Sequence, residues 1–186
     1  PGTYENKKFD LAGFAVGIVS KKKILSKFKV KKNDIILAIP SSGLHSNGFS
    51  LVRSVIKKKK IDKFLKKQLL LPTKIYTKEI LKLTEKGLIN SSANITGGGI
   101  IENIPRSIPK NLTANIYLHK IKTPKIFKWL KKQNISDFEM LRTFNCGVGF
   151  CLIVNKKYVK KIKTSFNKNF KPYQIGFISK SSKKIN

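Results

Sequence analysis

A chain of 186 residues, 40% of them hydrophobic, is long enough for one compact domain with a packed core and short for two, and no apolar run in it is long enough to span a bilayer. Forty Lys and Arg against nine Asp and Glu give a formal net charge of +31, a field that attracts polyanions, yet 37 of the forty are lysine and only Arg53, Arg106 and Arg142 are arginine. The lysines are scattered and share A- and T-rich codons with the 24 Ile and 14 Asn, so compositional drift explains the charge better than a dedicated nucleic-acid site, which favours arginine interleaved with aromatics.

In chain order, residues 14–19 and 34–39 read as strands. Phe49, Val52, Val55 and Ile56 fall on one helical face after the loop at 41–48. The lysine-rich stretch 57–67 reads as a variable connection. A helix is expected over 73–86, with Tyr76, Ile80 and Leu83 on its apolar face and Gly87 just past its end. A short strand over 92–95 leads into three glycines and a short helix through Ile101 and Ile104. Residues 112–118 read as a strand, and Thr123-Pro124 as a helix start. Ser136 and Glu139 form a capping box. Residues 147–154 read as a buried strand, Tyr158, Val159, Ile162 and Phe166 as an amphipathic face, and 173–178 as the last strand. Cys146 and Cys151 are too few and wrongly spaced for a zinc site or a redox pair and read as small buried residues. The sum is an α/β (α+β) domain, a mixed sheet with helices packed against it.

Three segments escape the lysine-rich drift. The first is Ser41-Ser42-Gly43-Leu44-His45-Ser46-Asn47-Gly48, between a strand and a helix. Glycines let backbone approach a ligand and helix-opening N–H groups attract anions, while Ser42, Ser46 and Asn47 add donors. His45 has the chemistry to hold a phosphate or move a proton. An ordinary capped turn fits the pattern equally well. The second is Thr96-Gly97-Gly98-Gly99, followed by Glu102 and Arg106. Three glycines imply a close backbone approach, to a phosphate or simply to another strand. Arg106 has Glu102 one helical turn away as a plain partner, or grips a phosphate. The third is the run 139–149, where Arg142 and Asn145 flank apolar residues and serve either a ligand cleft or an internal hydrogen-bond network.

These segments, with Asp10-Leu11-Ala12-Gly13-Phe14 and Leu71-Pro72-Thr73-Lys74-Ile75-Tyr76, stand in one order and at one spacing. The set resembles the C-terminal domain of the phosphoribosylformylglycinamidine cyclo-ligase family, also called aminoimidazole ribonucleotide synthetases, over most of the chain. The resemblance implies residues 1–14 as a remnant of an N-terminal domain and linker, and 15–186 as the C-terminal domain. It implies an ATP-dependent ring closure with magnesium accompanying the nucleotide, a homodimer made by the full-length enzyme, a cytoplasmic setting, and neither a specific nucleic acid nor a membrane as partner. A fragment beginning at Pro1 is expected to be inactive alone. Carried over by residue, His45 is the catalytic candidate. Ser42, Gly43, Ser46 and Asn47 form one ligand loop and Thr96, Gly97, Gly98 and Gly99 a second, with Arg142 and Asn145 nearby; no metal ligand is expected. The family usually has histidine where this chain has Asn94. The rival classes are a selenophosphate synthetase, a thiamine-phosphate kinase, a basic RNA-binding domain, and a folded but inactive relative.

Overall fold

Hydrophobic runs at 35–40 and 148–154 set the centre of the fold in the computed structural model, which describes residues 13–57 and 59–181. They form β1 (Ile35–Pro40) and β4 (Val148–Val154), paired antiparallel with Ile36 opposite Ile153. Added to them are β2 (Ser91–Asn94), β3 (Leu112–Ile116) and β5 (Tyr173–Lys180), in the order β2-β4-β1-β5-β3. The α+β class holds, but the sheet is not mixed: each of its four pairings is antiparallel. Spacing and hydrophobicity mark where strands lie and leave their direction to the connections, and here long excursions return each strand opposite to its neighbour.

The helices are α1 (Phe49–Ile56), α2 (Lys63–Leu69), α3 (Thr77–Glu85), α4 (Gly99–Arg106), α5 (Lys125–Lys131), α6 (Asp137–Thr143) and α7 (Val159–Lys163). β1 is apolar in both halves of its alternation because both faces are covered. Ile36 and Ala38 face α4 through Ile100 and Ile104, while Leu37 and Ile39 face Leu83 of α3 and Ile162 of α7. A third cluster lies off the sheet, where α1, α2, α5 and α6 bring together Val52, Leu65, Phe127 and Met140 with Leu44 and Phe144.

Several expectations need correction. Residues 14–19 form no strand: Phe14, Val16 and Ile18 are 97–101% exposed. The alternation is present, but no strand among the described residues pairs with it, and a lone strand leaves its backbone groups unpaired. The connection expected at 57–67 contains the start of a helix. Asp62 accepts the Leu65 N–H at 2.6 Å and caps α2, so Lys63, Lys66 and Lys67 are the solvent face of a helix that buries Leu65. The expected helix over 73–86 begins only at Thr77, and residues 71–76 form a strap without regular secondary structure. Gly87, at φ 62°, ends α3 as predicted. Ser136 caps α6 by accepting the Glu139 N–H, while the Glu139 carboxylate turns to the Thr143 hydroxyl instead of back to the cap. Both cysteines are free and buried, and burial pushes each thiol up to about 12.

Candidate functional site

β1 and β2 both run antiparallel to β4, so both end where β4 begins. That shared end gathers the three segments singled out above: residues 41–48 leave β1, 95–99 leave β2, and 144–147 enter β4. Backbone bonds tie them, Ser41 N–H to Gly147 O at 2.9 Å and Ile95 N–H to Gly149 O at 3.1 Å. Asn145 is the knot. Its amide nitrogen donates to Gly43 O at 2.9 Å and Leu44 O at 3.2 Å, and its oxygen accepts the Gly147 N–H at 2.8 Å. At 1% exposure the side chain reaches no solvent, so the internal-network reading of Asn145 is the one realised.

The two glycine turns are neighbours. The Asn47 side-chain oxygen lies 3.9 Å from where a Cβ on Gly97 would sit. Gly98 and Gly99 take φ of 90° and 56°, and a Cβ on Gly99 would fall 2.0 Å from the Leu141 carbonyl oxygen. The close approach that the triple glycine implied is therefore to the last turn of α6. Asn103 completes the turn. Buried on the inner face of α4, it donates to Gly97 O at 3.1 Å and Gly99 O at 2.8 Å. Pattern reading missed it; the available signal was a lone amide between Ile100 and Ile104 on an otherwise apolar face.

His45 points inward. Its backbone is left-handed at φ 58°, the side chain is buried, and Nε2 accepts the Ser42 N–H at 3.3 Å. An imidazole that accepts at Nε2 is neutral and carries its proton on Nδ1. Burial lowers its pKa below 6.5. The ring sits 6.1 Å from that of Tyr76, and both lean on Gly149, where a Cβ would meet the Tyr76 hydroxyl oxygen at 1.9 Å. Tyr76 donates to Pro40 O at 2.8 Å, and burial raises its pKa above 10.0. The strap holding Tyr76 also grips the first loop: Ser42 Oγ donates to Pro72 O at 2.7 Å, and the Ser46 and Thr73 hydroxyls lie 3.3 Å apart. Tyr76 had read only as part of an apolar helix face; a buried phenol needing a partner was the clue to its reach.

The nominated residues thus separate into two sets. Gly43, His45, Gly99 and Asn145 are buried scaffold, whereas Ser46, Thr96, Gly97 and Arg142 are exposed and Ser42, Asn47 and Gly98 half-buried. Arg106 pairs with Glu102 at 3.3 Å, the plain alternative, and Arg142 Nε stands 3.7 Å from the same carboxylate. All three are well exposed, so their pairing stabilises by about 0.5 kcal/mol or less and leaves the arginines free to exchange partners. Ser41 Oγ is buried without a hydrogen-bond partner. Among the described residues no group of three or more His, Cys, Asp or Glu is placed to hold a metal ion. A hollow of about 470 Å³ between α5 and α6 includes none of the nominated residues.

A pH test follows from His45. The unfolded imidazole takes a proton below about 6.5, while the folded one resists it. Between those two values the unfolded state binds more protons, so stability falls as pH drops through the window and is flat for this group above it. Denaturant midpoints at pH 7.5 and 5.5 should show that loss in the wild type. His45→Asn, which tolerates the left-handed backbone and does not titrate, should lessen the slope; an identical slope would assign the pH effect elsewhere.

A family model described as AIR synthase related protein, C-terminal domain, matches residues 31–185. Phosphoribosylformylglycinamidine cyclo-ligase of Clostridium tetani is 42% identical over 189 residues, covering 100% of this chain and 57% of that protein. The protein of the same name from Fusobacterium nucleatum is 44% identical over 193 residues, covering 97% and 56%. The chain spans about half the length of the curated relatives it matches. Among solved structures, phosphoribosylformylglycinamidine synthase II from Thermotoga maritima aligns with a TM-score of 0.56 at 14% identity, over 87% of this chain and 24% of that one. Thiamine monophosphate kinase from Aquifex aeolicus aligns with a TM-score of 0.56 at 13% identity, over 85% and 51%. At such identities these likenesses speak to the fold alone.

Proposed function

This chain belongs to the AIR synthase related family, C-terminal domain, and from that membership we propose that it supplies half of the active site of an ATP-dependent cyclo-ligase. The reaction closes formylglycinamidine ribonucleotide to aminoimidazole ribonucleotide in purine biosynthesis. ATP transfers its γ-phosphoryl group to the formyl amide oxygen. The amidine nitrogen attacks the activated carbon, the carbon–oxygen bond breaks with loss of phosphate, and a proton leaves the ring nitrogen. The products are aminoimidazole ribonucleotide, ADP and phosphate. The observation that supports this reading is the meeting of two glycine-lined turns, each leaving a strand and entering a helix, with Asn47 beside Gly97. Backbone N–H groups there suit a phosphate-bearing ligand.

In this reading Ser42, Ser46 and Asn47 of the first loop, Thr96, Gly97 and Gly98 of the second, and Arg142 meet the nucleotide. Gly43, Gly99 and Asn145 hold those groups in place. His45, its Nε2 already taken by Ser42, has Nδ1–H left to orient a phosphate or pass a proton. Asn94 hydrogen-bonds without titrating, so proton transfer at that corner falls to another group. The magnesium that accompanies ATP finds no acidic cluster among the described residues, and the rest of the nucleotide and metal site belongs to sequence that the longer relatives carry. The homodimer and the cytoplasmic setting are part of the same proposal, and a specific nucleic-acid partner is not.

The test is turnover. A longer enzyme carrying this domain, given ATP and formylglycinamidine ribonucleotide, should release ADP and phosphate in step with aminoimidazole ribonucleotide, whereas this chain alone should not. His45→Asn should lower kcat about 100-fold if it sets the ligand's position. No ring closure by the longer enzyme, or turnover by this chain alone, overturns the reading.

A further inference from the structure

We infer that the hollow between the 71–76 strap, the start of α3 and the β2–β4 edge is the subsite for the uncharged, planar, nitrogen-rich end of a nucleotide whose phosphate lies on the glycine turns. The assignment rests on the function proposed above. Its volume, about 350 Å³, suits a heterocycle or an amide-sized head.

Continuity is the first argument. Thr73 lines the hollow and its hydroxyl stands 3.3 Å from that of Ser46, in the first loop. Asn47, the next residue, borders Gly97. A ligand with its phosphate on the turns has the hollow within reach along one unbroken rim.

The walls are the second argument. Tyr76 and Phe150 present rings 5.5 Å apart and tilted by 43°, flat apolar surfaces that favour a planar group. Tyr76 is rigid, held by Pro40 O, and Phe150 is set by the β2–β4 register that places it opposite Asn94. The wall is therefore built before a ligand arrives.

Charge is the third. The single cation in the lining, Lys74, is occupied: Nζ donates to Glu79 at 3.3 Å and to Ile75 O at 2.8 Å, and lies 5.1 Å from the Phe170 ring centre. The hollow thus suits a neutral head better than a phosphate. At its open edge stands Asn94, exposed at the end of the outer strand β2. An amide offers both a donor and an acceptor, the complement of an adenine edge. Adenine of ATP has this chemistry, whereas the formylglycinamidine head of the substrate carries a protonated amidine and a tetrahedral carbon.

Thr77 is exposed at the first position of α3 and lines the hollow, so Thr77→Trp fills it from the solvent side. Calorimetric titration of the longer enzyme with a non-hydrolysable ATP analogue, and separately with formylglycinamidine ribonucleotide, reads binding without turnover. We expect Kd for the ATP analogue to rise about tenfold; a rise for formylglycinamidine ribonucleotide alone overturns the assignment to an uncharged head. Asn94→Leu, an exposed change that keeps the size and removes the amide, should weaken the same ligand and covers the case in which the tryptophan lowers the melting temperature. Unchanged Kd for both ligands in both variants overturns the subsite while ring closure by the wild type stands. Tighter Kd in Thr77→Trp also overturns it. Absence of ring closure in the wild type, with the Kd for the ATP analogue rising as stated, overturns the proposed reaction and leaves the subsite.

Discussion

Alanine at Gly99 is expected to lower the thermal midpoint of this domain by about 6–12 °C, the equivalent of roughly 3 kcal/mol. Two effects add. The backbone at φ 56° is left-handed, which disfavours a Cβ by about 1–2 kcal/mol. The added methyl would also lie 2.0 Å from Leu141 O and 3.0 Å from Arg142 O. These are main-chain atoms of α6, so no rotamer change relieves the clash, and overpacking of this kind costs about 1–3 kcal/mol. Either the TGGG turn or the end of α6 must move, and α6 is anchored by Met140 and Phe144 in the off-sheet cluster. Circular dichroism melts of wild type and Gly99→Ala check this. A shift below 2 °C would mean that the two segments separate without strain.

Asn145→Ala should be at least as damaging. It removes the partners of Gly43 O, Leu44 O and Gly147 N–H in a site that water does not reach. A buried group left unsatisfied costs about 1–3 kcal/mol, so the three together predict a loss of about 3–5 kcal/mol, with some relief from relaxation. Asn145→Asp is the informative companion. It keeps the acceptor for Gly147 N–H but turns a carboxylate toward two carbonyl oxygens, and it should be no better tolerated than alanine. Urea denaturation measures both; a loss under about 1 kcal/mol in either would show that the loop does not depend on this amide.

Some of this architecture is legible in the residues themselves. β1 and β4 announce themselves as apolar runs, α6 by Ser136, and the end of α3 by Gly87. α2 is hidden because lysine fills its outer face and looks like a linker, although Asp62 marks its start. Residues 14–19 carry the alternation of a strand but pair with no strand among the described residues, and pairing is a property of partners rather than of a segment. The site was legible as a set of turns but not in its orientation. Nothing in the letters around His45 says that a left-handed backbone turns the imidazole inward onto Ser42 N–H, or that the Asn145 amide closes on Gly43 and Leu44. Those outcomes depend on which strand ends lie side by side, and that arrangement follows from an antiparallel order that composition does not encode.

The off-sheet helical cluster has a consequence for how the molecule breathes. α1 joins the sheet through residues 41–48, and α6 joins it through 144–147, and one amide rivets these two crossings together. Any local opening that swings the cluster away from the sheet must shear that rivet, exposing the Ser41 and Gly147 amides in a single event. Those two amides should then exchange with deuterated water at a common rate. The turns on either side of the seam would lose their shape together, so the two glycine-lined turns sit on a joint that is either wholly closed or wholly undone.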